Sequence, residues 1–516
     1  MNIYKKILKQ NIPKLLNLYN LDKFSSTYGV GDREYWGWKT KDFANATMQG
    51  GVHSLAIAIK LDLFEKKEKV KILELIEVII SATKNIIYPN GSVEEAYPQE
   101  NSFCVTALVA FDLLSALYYL QDEIEIEKYF GVIKPLINFI TKNDEEHAII
   151  SNHLATGVAA ITLWNHLTGD SNLRYKELLE IIYKHQSSEG WYREYEGADP
   201  GYQTLCTYYL FCNFLLTKDE VLLDSLKRSA KFLKHFIHPD GTIGGLYGSR
   251  NTEVFYPAGI VGLSNEIEDF ALIAKWLEPK DQQILPQMID IGNFIPLLNS
   301  YAVAAMYYEK NKSYIDSCDL HLFWTESKSI DFSKSGIFLY SNKNYFSIIN
   351  YKKGGTIKAF DLSSKEVFED GGVFGKLDNN KKFTTQMFDE NIDFKNHTII
   401  SNFYLVNEDY PTSFKFIILR LLSLTIFKSL YLSNLFKKIV VKKLMTGKVQ
   451  IDGQIVRKFI FGDTKIIVEE KIIKPNATKW IGHIGKSRAI HMASSGYFNK
   501  QFFYQNHNLV EFKEVH

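Results

Sequence analysis

Apolar residues recur at intervals of three and four positions through most of the first 310 residues, which is the period of a helix with one buried face. Loops with Gly, Asp, Asn and Pro interrupt the pattern. It predicts a succession of helices from about 42 to 310, with the clearest segments at residues 52–63, 70–87, 103–120, 148–166, 202–216 and 222–236.

Three of the interrupting loops resemble one another. Each ends a helix, places a glycine (Gly91, Gly190 or Gly241) in a turn and continues into an aromatic segment. The glycines are 99 and 51 residues apart, close to two units and one unit of about 50. A helical-hairpin repeat of this length predicts an α/α toroid, with an irregular helical bundle as the alternative.

The pattern changes after residue 327 to short runs of β-branched and aromatic residues between Asn, Lys and Gly turns. Residues 336–340, 345–349, 356–360 and 465–469 are the clearest of these, and they predict an antiparallel β-sandwich. The predicted domains are an N-terminal helix and aromatic loop (1–41), a helical toroid (42–326) and a sandwich (327–516) with a basic apolar insertion at about 413–446.

The insertion departs from the β pattern. Residues 414–443 read FKFIILRLLSLTIFKSLYLSNLFKKIVVKK and hold no acidic residue; the basic residues are Lys415, Arg420, Lys428, Lys437, Lys438, Lys442 and Lys443. Basic residues divide the apolar runs too often for a membrane-spanning helix. We therefore expect peripheral contact with an anionic membrane surface, with a helical insertion docked on the sandwich as the alternative.

Composition limits the remaining function classes. The 516 residues are 46% hydrophobic with a formal net charge of +1, which indicates a globular chain with no overall attraction to nucleic acid. The four cysteines lack CxxC spacing and are expected to be free thiols. The first 20 residues lack a signal peptide's apolar core, so we expect a cytoplasmic protein, peripheral on the inner face of the membrane. No nucleotide, serine-hydrolase or zincin motif occurs, and we predict neither cofactor nor metal.

Two short motifs carry the candidate chemistry. Asn152 and His153 open one predicted helix, and Tyr202, 49 residues after His153, opens another within Asp-Pro-Gly-Tyr. With the helical-then-β architecture, these motifs resemble the heparinase II/III-like polysaccharide lyases and the uronyl C5-epimerases that share their scaffold. The resemblance implies that Asn152 neutralises a uronate carboxylate, that His153 abstracts or assists at C5, and that Tyr202 protonates the O4 leaving group.

The same residue types suit this chemistry on physical grounds. The C5 proton of a uronic acid becomes removable only when the adjacent carboxylate is neutralised, so that charge spreads into it. Histidine titrates near neutral pH, whereas a tyrosine base needs a positive neighbour, for which Arg193 and Arg250 are candidates. We place Arg250 with the catalytic residues as a bidentate carboxylate ligand, with an Arg–Glu structural pair as the alternative.

Other residues of these loops are predicted to line the cleft as stacking platforms or polar ligands. They are Arg33, Trp36, Trp38, Glu95, Tyr97, Trp191, Arg193, Tyr195, Tyr247, Asn251, Glu253 and Tyr256. One of two histidines of the β region, His483 or His491, could also reach the cleft.

Three functions follow from these observations. The first is a lyase that cleaves a uronic-acid-containing polysaccharide by C5 proton abstraction and β-elimination. The second is a uronyl C5-epimerase of capsule or exopolysaccharide biosynthesis, which a cytoplasmic location would favour. The third is a non-catalytic glycan-binding or assembly protein. A glycoside hydrolase is disfavoured, because no paired carboxylates stand out on the predicted inner helices.

Overall fold

The computed structural model describes residues 2–146, 148–279, 291–406, 412–442, 447–485 and 507–515. Helices fill the first part of these ranges and strands most of the second, as the sequence predicts. The helices are α1 (Ile3–Leu16), α2 (Arg33–Trp36), α3 (Val52–Lys60), α4 (Lys66–Thr83), α5 (Phe103–Leu120), α6 (Phe130–Lys142), α7 (Ser151–Thr168), α8 (Arg174–His185), α9 (Pro200–Thr217), α10 (Glu220–Leu233), α11 (Pro257–Gly262), α12 (Glu268–Trp276), α13 (Ile291–Ser317), α14 (Ser413–Leu424) and α15 (Leu430–Val441).

Six of the helices pack in a closed ring. The order is α3, α5, α7, α9, α11 and α13, each packed on the next, and α13 returns to α3. A second helix lies outside each member: α4, α6, α8, α10, α12 and, against α13, the N-terminal α1. The inner helices are buried on almost every side, whereas an outer helix such as α10 buries one stripe, which explains why the 3.6-residue pattern is clearer in the outer helices.

The turn that recurs in the sequence also recurs in the structure. Gly91 and Gly190 both adopt positive φ, at 89° and 103°. A Cβ on Gly91 would lie 2.2 Å from the Pro135 carbonyl oxygen of α6, and one on Gly190 would lie 2.1 Å from the Arg228 carbonyl oxygen of α10. Each loop therefore presses its backbone against the next outer helix, at a distance that only glycine permits.

Strands follow from residue 328 onward and form two sheets. They are β1 (Lys328–Phe332), β2 (Ile337–Ser341), β3 (Tyr345–Asn350), β4 (Thr356–Asp361), β5 (Val367–Asp370), β6 (Val373–Leu377), β7 (Lys382–Thr384), β8 (Thr398–Val406), β9 (Gln450–Phe461), β10 (Ile466–Ile473), β11 (Thr478–His483) and β12 (Val510–Glu514). The first sheet is the meander β1 to β5, and the second has the order β11-β6-β7-β8-β9-β10-β12. The prediction of antiparallel pairing is wrong at one edge, because β12 runs parallel to β10.

The first sheet is covered on both faces. On one face, buried residues such as Ile357 pack against Ile399 and Phe459 of the second sheet. On the other face, Phe346 and Phe360 join the hydrophobic core of the helical ring. This double burial explains why β3 and β4 are buried at nearly every position, without the alternation of a strand that has one exposed face.

The basic apolar insertion connects the adjacent strands β8 and β9. Its described part, residues 412–442, folds as α14 and α15 joined by one 3₁₀ turn, and is called the basic hairpin below. It docks on loops of the helical ring: the Phe427 carbonyl accepts from Asn101 Nδ2 at 3.3 Å, and Lys437 Nζ donates to the Asn101 carbonyl at 3.1 Å. The alternative of docking on the sandwich is therefore wrong.

Within the ranges that the structure describes, one helix, α5, is long and apolar enough to cross a membrane. That helix is a member of the closed ring, and 83% of the qualifying window is buried inside the protein. Its apolar character is accounted for by packing within the core.

Candidate functional site

The candidate chemistry collects where several inner helices begin. Asn152 and His153 lie in the first turn of α7, Tyr202 in the first turn of α9, and Arg250 in the loop that leads to α11. Asn152 donates a hydrogen bond to one carboxylate, Glu194, and His153, Tyr202 and Arg250 interact with Glu194 electrostatically. These five residues are called the Glu194 cluster below.

A short two-stranded contact places Glu194 beside α7. Ser151 N donates to the Arg193 carbonyl at 3.1 Å, and Tyr195 N donates to the Ile149 carbonyl at 3.0 Å. Glu194 is held between these two bonds, and its Oε2 accepts from Asn152 Nδ2 at 2.7 Å. The Asn152 amide is therefore bonded to a protein carboxyl group, and both side chains are almost fully buried.

Burial makes the Glu194 carboxyl group a weaker acid than an ordinary glutamate. Desolvation raises its pKa to about 7, although His153, Asn152 and Arg250 act in the opposite direction. A carboxyl group with that pKa is protonated in part of the molecules at neutral pH and can either accept or release a proton there.

His153 lies beside a carboxylate and a thiol. Its Nδ1 is 2.8 Å from Glu145 Oε2, and its side chain is 24% exposed. Burial alone would lower the imidazole pKa, but Cys104 and Glu145 together hold the pKa of His153 well above its ordinary value. The Glu145 carboxylate thus favours the protonated form of His153 relative to that of a free histidine.

Tyr202 keeps its proton. Burial, followed by Tyr256 and Glu194, raises the pKa of its phenol well above 10, and the Arg250 guanidinium opposes this only in part. Arg250 is itself nearly buried and stacks over the Tyr195 ring at 4.0 Å. The arrangement gives a phenol able to donate a proton, with a stacked cation nearby.

Asp199 fixes the two elements that carry these groups. One carboxylate oxygen accepts from Tyr202 N at 3.0 Å and caps α9, while the other accepts from Arg250 N at 2.8 Å. The Asp-Pro-Gly-Tyr motif therefore acts as a helix cap that also ties down the Arg250 loop.

The sandwich domain supports the same loop from its other side. Lys353, buried just before β4, donates from Nζ to the carbonyls of Leu246 and Gly248, at 3.0 and 2.6 Å, and to Asn251 Oδ1. Asn251 is predicted as a substrate ligand, but the structure assigns its side-chain oxygen to Lys353. Burial lowers the pKa of Lys353 to about 7, so the ammonium form, whose three protons match these three acceptors, is present in part of the molecules at neutral pH.

A polar cavity of about 540 Å³ opens next to the cluster, between the helical ring and the second sheet. Arg193 and Glu196 line it from the ring and Tyr404 of β8 from the sheet, and Lys448, just before β9, pairs with Glu196 at 3.2 Å. Arg193 also holds the Tyr195 carbonyl through Nε at 2.9 Å. Arg193 is thus the predicted binding residue that borders open space beside the cluster.

The prediction is wrong for Tyr247 and Glu253. Tyr247 is fully buried, and its hydroxyl lies 2.8 Å from His238 Nε2 in the ring core. Glu253 forms a buried ion pair with Lys358 of β4 at 2.6 Å. Both residues join the two domains, because the Gly-rich loop that carries them is enclosed by the first sheet.

The N-terminal aromatic loop is engaged elsewhere. Arg33 donates to Asn17 Oδ1 at 3.1 Å, and Trp36 Nε1 donates to the Leu18 carbonyl at 2.8 Å. Trp38 is 73% exposed. These contacts anchor the loop after α1 and do not extend to the Glu194 cluster.

Three more predicted residues have packing partners. Trp191 donates to Glu189, which also accepts from the sandwich backbone at Lys334. Tyr256 is fully buried close to Tyr202. Tyr97 packs against Phe427 of the basic hairpin, with ring centroids 5.8 Å apart.

Glu95 and the β-domain histidines complete the predicted set. Glu95 is half-buried and close enough to Cys104 to raise that thiol's pKa. His483 belongs to a buried ion-pair cluster in the sandwich, with Nε2 2.9 Å from Glu470 Oε2 and Nδ1 3.2 Å from Arg457. His491 lies outside the described residues. Among those residues, no group of three or more His, Cys, Asp or Glu could hold a metal ion.

Sequence reasoning missed four charged residues of the site region: Glu145, Glu194, Lys353 and Lys437. Glu194 directly follows the predicted Arg193, in the loop that begins with the repeated turn at Gly190. Lys353 and Lys437 lie in the other domain, where no local signal indicates what they contact.

Comparisons with known proteins reveal similarity only at the level of structure. No family model matches the chain, and no curated protein sequence matches it. A Paenibacillus xanthan lyase overlays with a TM-score of 0.49 and 10% identity, covering 78% of this chain and 44% of that one. Chondroitin AC lyase of Streptomyces coelicolor A3 gives a TM-score of 0.49 and 9% identity, covering 79% and 65%.

An unsaturated glucuronyl hydrolase specific for heparin overlays on 60% of this chain and 98% of its own, with a TM-score of 0.40 and 10% identity. The aligned region thus spans less than half of the xanthan lyase and about two thirds of the chondroitin lyase. Similarity this low establishes neither a shared family nor a shared activity, and the heparinase II/III-like resemblance stays a prediction.

Proposed function

We propose that the protein is a glycan-processing enzyme that acts on a uronic-acid-containing polysaccharide by C5 proton abstraction and β-elimination. In this proposal the closed ring of helices is the predicted α/α toroid, and its substrate binds where the inner helices begin. The observation that carries the proposal is the Glu194 cluster: an amide, an imidazole, a guanidinium and a phenol that interact with one buried carboxyl group, whose pKa is raised to about 7.

The charges of the cluster favour a division of roles. The His153 imidazolium and the Arg250 guanidinium are the groups able to neutralise a uronate carboxylate, which the sequence resemblance assigned to Asn152. Asn152 would instead orient Glu194, with which it shares a 2.7 Å hydrogen bond. Glu194, whose pKa lies near neutrality, is suited to accept the C5 proton.

Tyr202 would act as the acid. As the C5–H bond breaks, its electron pair forms the C4–C5 double bond, and the C4–O4 bond breaks towards the leaving sugar. The phenol supplies the proton that the leaving oxygen needs, which its high pKa permits. The products are an unsaturated uronate and a new hydroxyl end.

The test uses uronate polymers of differing linkage and sulfation, with the ultraviolet absorbance of the unsaturated product as readout. We expect activity on at least one polymer and a loss of about 10²–10⁴-fold in Tyr202→Phe and in Glu194→Gln. Tyr314→Phe, an exposed position of α13, is the matched control and should retain full activity.

Two outcomes would contradict elimination. Solvent deuterium entering C5 of an uncleaved polymer would identify the epimerase. Saturable polymer binding with neither product would favour the non-catalytic glycan-binding protein.

A further inference from the structure

The basic hairpin buries polar residues and exposes apolar ones, the reverse of an ordinary pair of surface helices. In α15, Ser433 and Lys437 are buried against the helical ring, while Leu435 and Ile439 are 47% and 58% exposed. An amphipathic helix that packs on a protein core in water presents the opposite faces. Something other than water is therefore expected against the outer face of the hairpin.

The exposed apolar surface is concentrated there. Of the 24 exposed large apolar side chains in the described ranges, eleven lie among the 31 residues of the hairpin. They include Phe414, Leu421, Leu424 and Tyr431, which are 58–76% exposed. Single exposed apolar residues are common on soluble proteins, whereas a contiguous patch of this kind marks a binding surface.

The charge of the hairpin identifies the class of partner. Residues 412–442 contain six basic residues and no acidic one. Lys428 and Lys442 are exposed, and Lys438 pairs with Glu146 while remaining half exposed. Apolar side chains bordered by lysines suit the boundary between acyl chains and negatively charged headgroups. A second copy that paired hairpin to hairpin would lack an acidic complement, because the same six basic residues would face one another.

Docking holds this surface in a fixed place. Phe427 is buried against Tyr97 and Phe436, and Ser433 Oγ donates to the Gln99 carbonyl at 3.3 Å. The charges of Glu100 and Glu145, the latter bonded to His153, act on the buried Lys437. The hairpin is thus fastened beside the candidate site and does not extend freely from the protein.

We propose that the basic hairpin binds the surface of an anionic membrane through the outer faces of α14 and α15, and so holds the Glu194 cluster close to that surface. Lipid binding requires no catalysis, so the proposal stands or falls separately from the proposed function.

The experiment measures co-sedimentation of the full chain with vesicles of phosphatidylcholine and phosphatidylglycerol (7:3), and with vesicles of phosphatidylcholine alone. We expect binding to the first and little to the second. Lys428→Glu/Lys442→Glu should weaken binding at least 25-fold, at about fivefold for each lysine removed near an anionic surface. Leu424→Gln/Leu435→Gln should weaken it comparably, because both side chains leave water on binding.

Matched controls lie on the outer helices. Lys67→Glu/Lys71→Glu on α4, and Leu173→Gln/Val221→Gln near α8 and α10, change equally exposed side chains and should bind as the unmodified protein does. Hydrogen exchange with vesicles present should slow in residues 412–442 and not in α4.

Equal binding to neutral and anionic vesicles, or unchanged binding of both hairpin variants, would overturn the proposal. So would a dimer that Leu424→Gln/Leu435→Gln dissociates without any vesicle binding, because the apolar face would then belong to a second copy.

Discussion

Lys353 is the residue through which the sandwich domain is expected to control the candidate site. Replacing it with methionine keeps the unbranched chain out to Cε and removes the amine. The carbonyls of Leu246 and Gly248 and the side-chain oxygen of Asn251 then lose their donor in a buried place. An unsatisfied buried acceptor costs roughly 1–3 kcal/mol.

The expected cost is smaller than the sum of these three terms. Removing the ammonium also removes the cost of burying its charge, and one acceptor can turn towards another donor. We therefore expect a net loss of about 3 kcal/mol, which is about a hundredfold in the equilibrium for opening the loop.

Hydrogen exchange followed by mass spectrometry reports on this loop directly. The amides of Gly245, Gly248 and Arg250 are hydrogen-bonded within it or to Asp199. Their exchange should be about a hundredfold faster in Lys353→Met. Lys352→Met is the control, because the neighbouring lysine is only half-buried and makes a single 3.3 Å bond to a carbonyl.

Unchanged exchange in Lys353→Met would refute the reasoning, because the loop would then be held by Asp199 and its own turns alone. Faster exchange throughout both domains would also contradict it, since the residue would then support general stability and not this loop.

Three further predictions concern titration and docking. The folded-state pKa of Glu194 is raised to about 7, so its contribution to stability is complete below about pH 4.5 and is lost as the pH rises through 7. In denaturant titrations between pH 5 and 8, Glu194→Gln should therefore gain up to about 3 kcal/mol in free energy of unfolding relative to the unmodified protein. The exposed Glu180→Gln should show no such gain. The pKa of His483 is raised to about 9, so this residue stabilises the folded protein fully below pH 6.5 and progressively less up to pH 9. The melting temperature should therefore fall less steeply between pH 6.5 and 9 in His483→Gln than in the unmodified protein. An unchanged slope would show that His483 does not cause the fall. Phe427→Ala should cost about 3 kcal/mol of hairpin docking and speed proteolysis within residues 412–442, while exposed Phe414→Ala should leave the cleavage rate unchanged.

Local patterns were sufficient to predict the helices and many of the strands. The helix predicted at 103–120 is observed as α5 (Phe103–Leu120), because its apolar run is bounded by the capping Ser102. The recurring glycine turn was also predictable, since Gly91 and Gly190 lie too close to the neighbouring outer helix for any side chain; Gly241 shares their positive φ without that close approach. Alternation failed for β3, because one of its faces meets the helical ring and the other meets the second sheet.

The candidate site was predictable where its residues belong to helix starts or to the Gly-rich loop that carries Arg250. Asn152, His153 and Tyr202 occupy such positions, and the ring brings them together. Tyr247 and Glu253 have the same local appearance, yet both are enclosed by strands about 100 residues away in sequence. The residues adjacent in sequence to Tyr247 and Glu253 do not indicate that distant strands will bury them.

The helical ring alone does not account for the order of the candidate site. Two lysines from the sandwich domain and its insertion donate to loops of the ring: Lys353 holds the loop of Arg250, and Lys437 holds the loop that ends in Asn101. Each is buried, and each donates to backbone carbonyls that have a fixed position only when those loops are folded. Burial lowers the pKa of both lysines, to about 7 for Lys353, and a protonated amine buried without such acceptors would be strongly unfavourable. Both lysines therefore stabilise the docked arrangement and penalise its loss. Arg250 should therefore lose its fixed position whenever the sandwich separates from the ring, even though the inner helices carry most of the cluster.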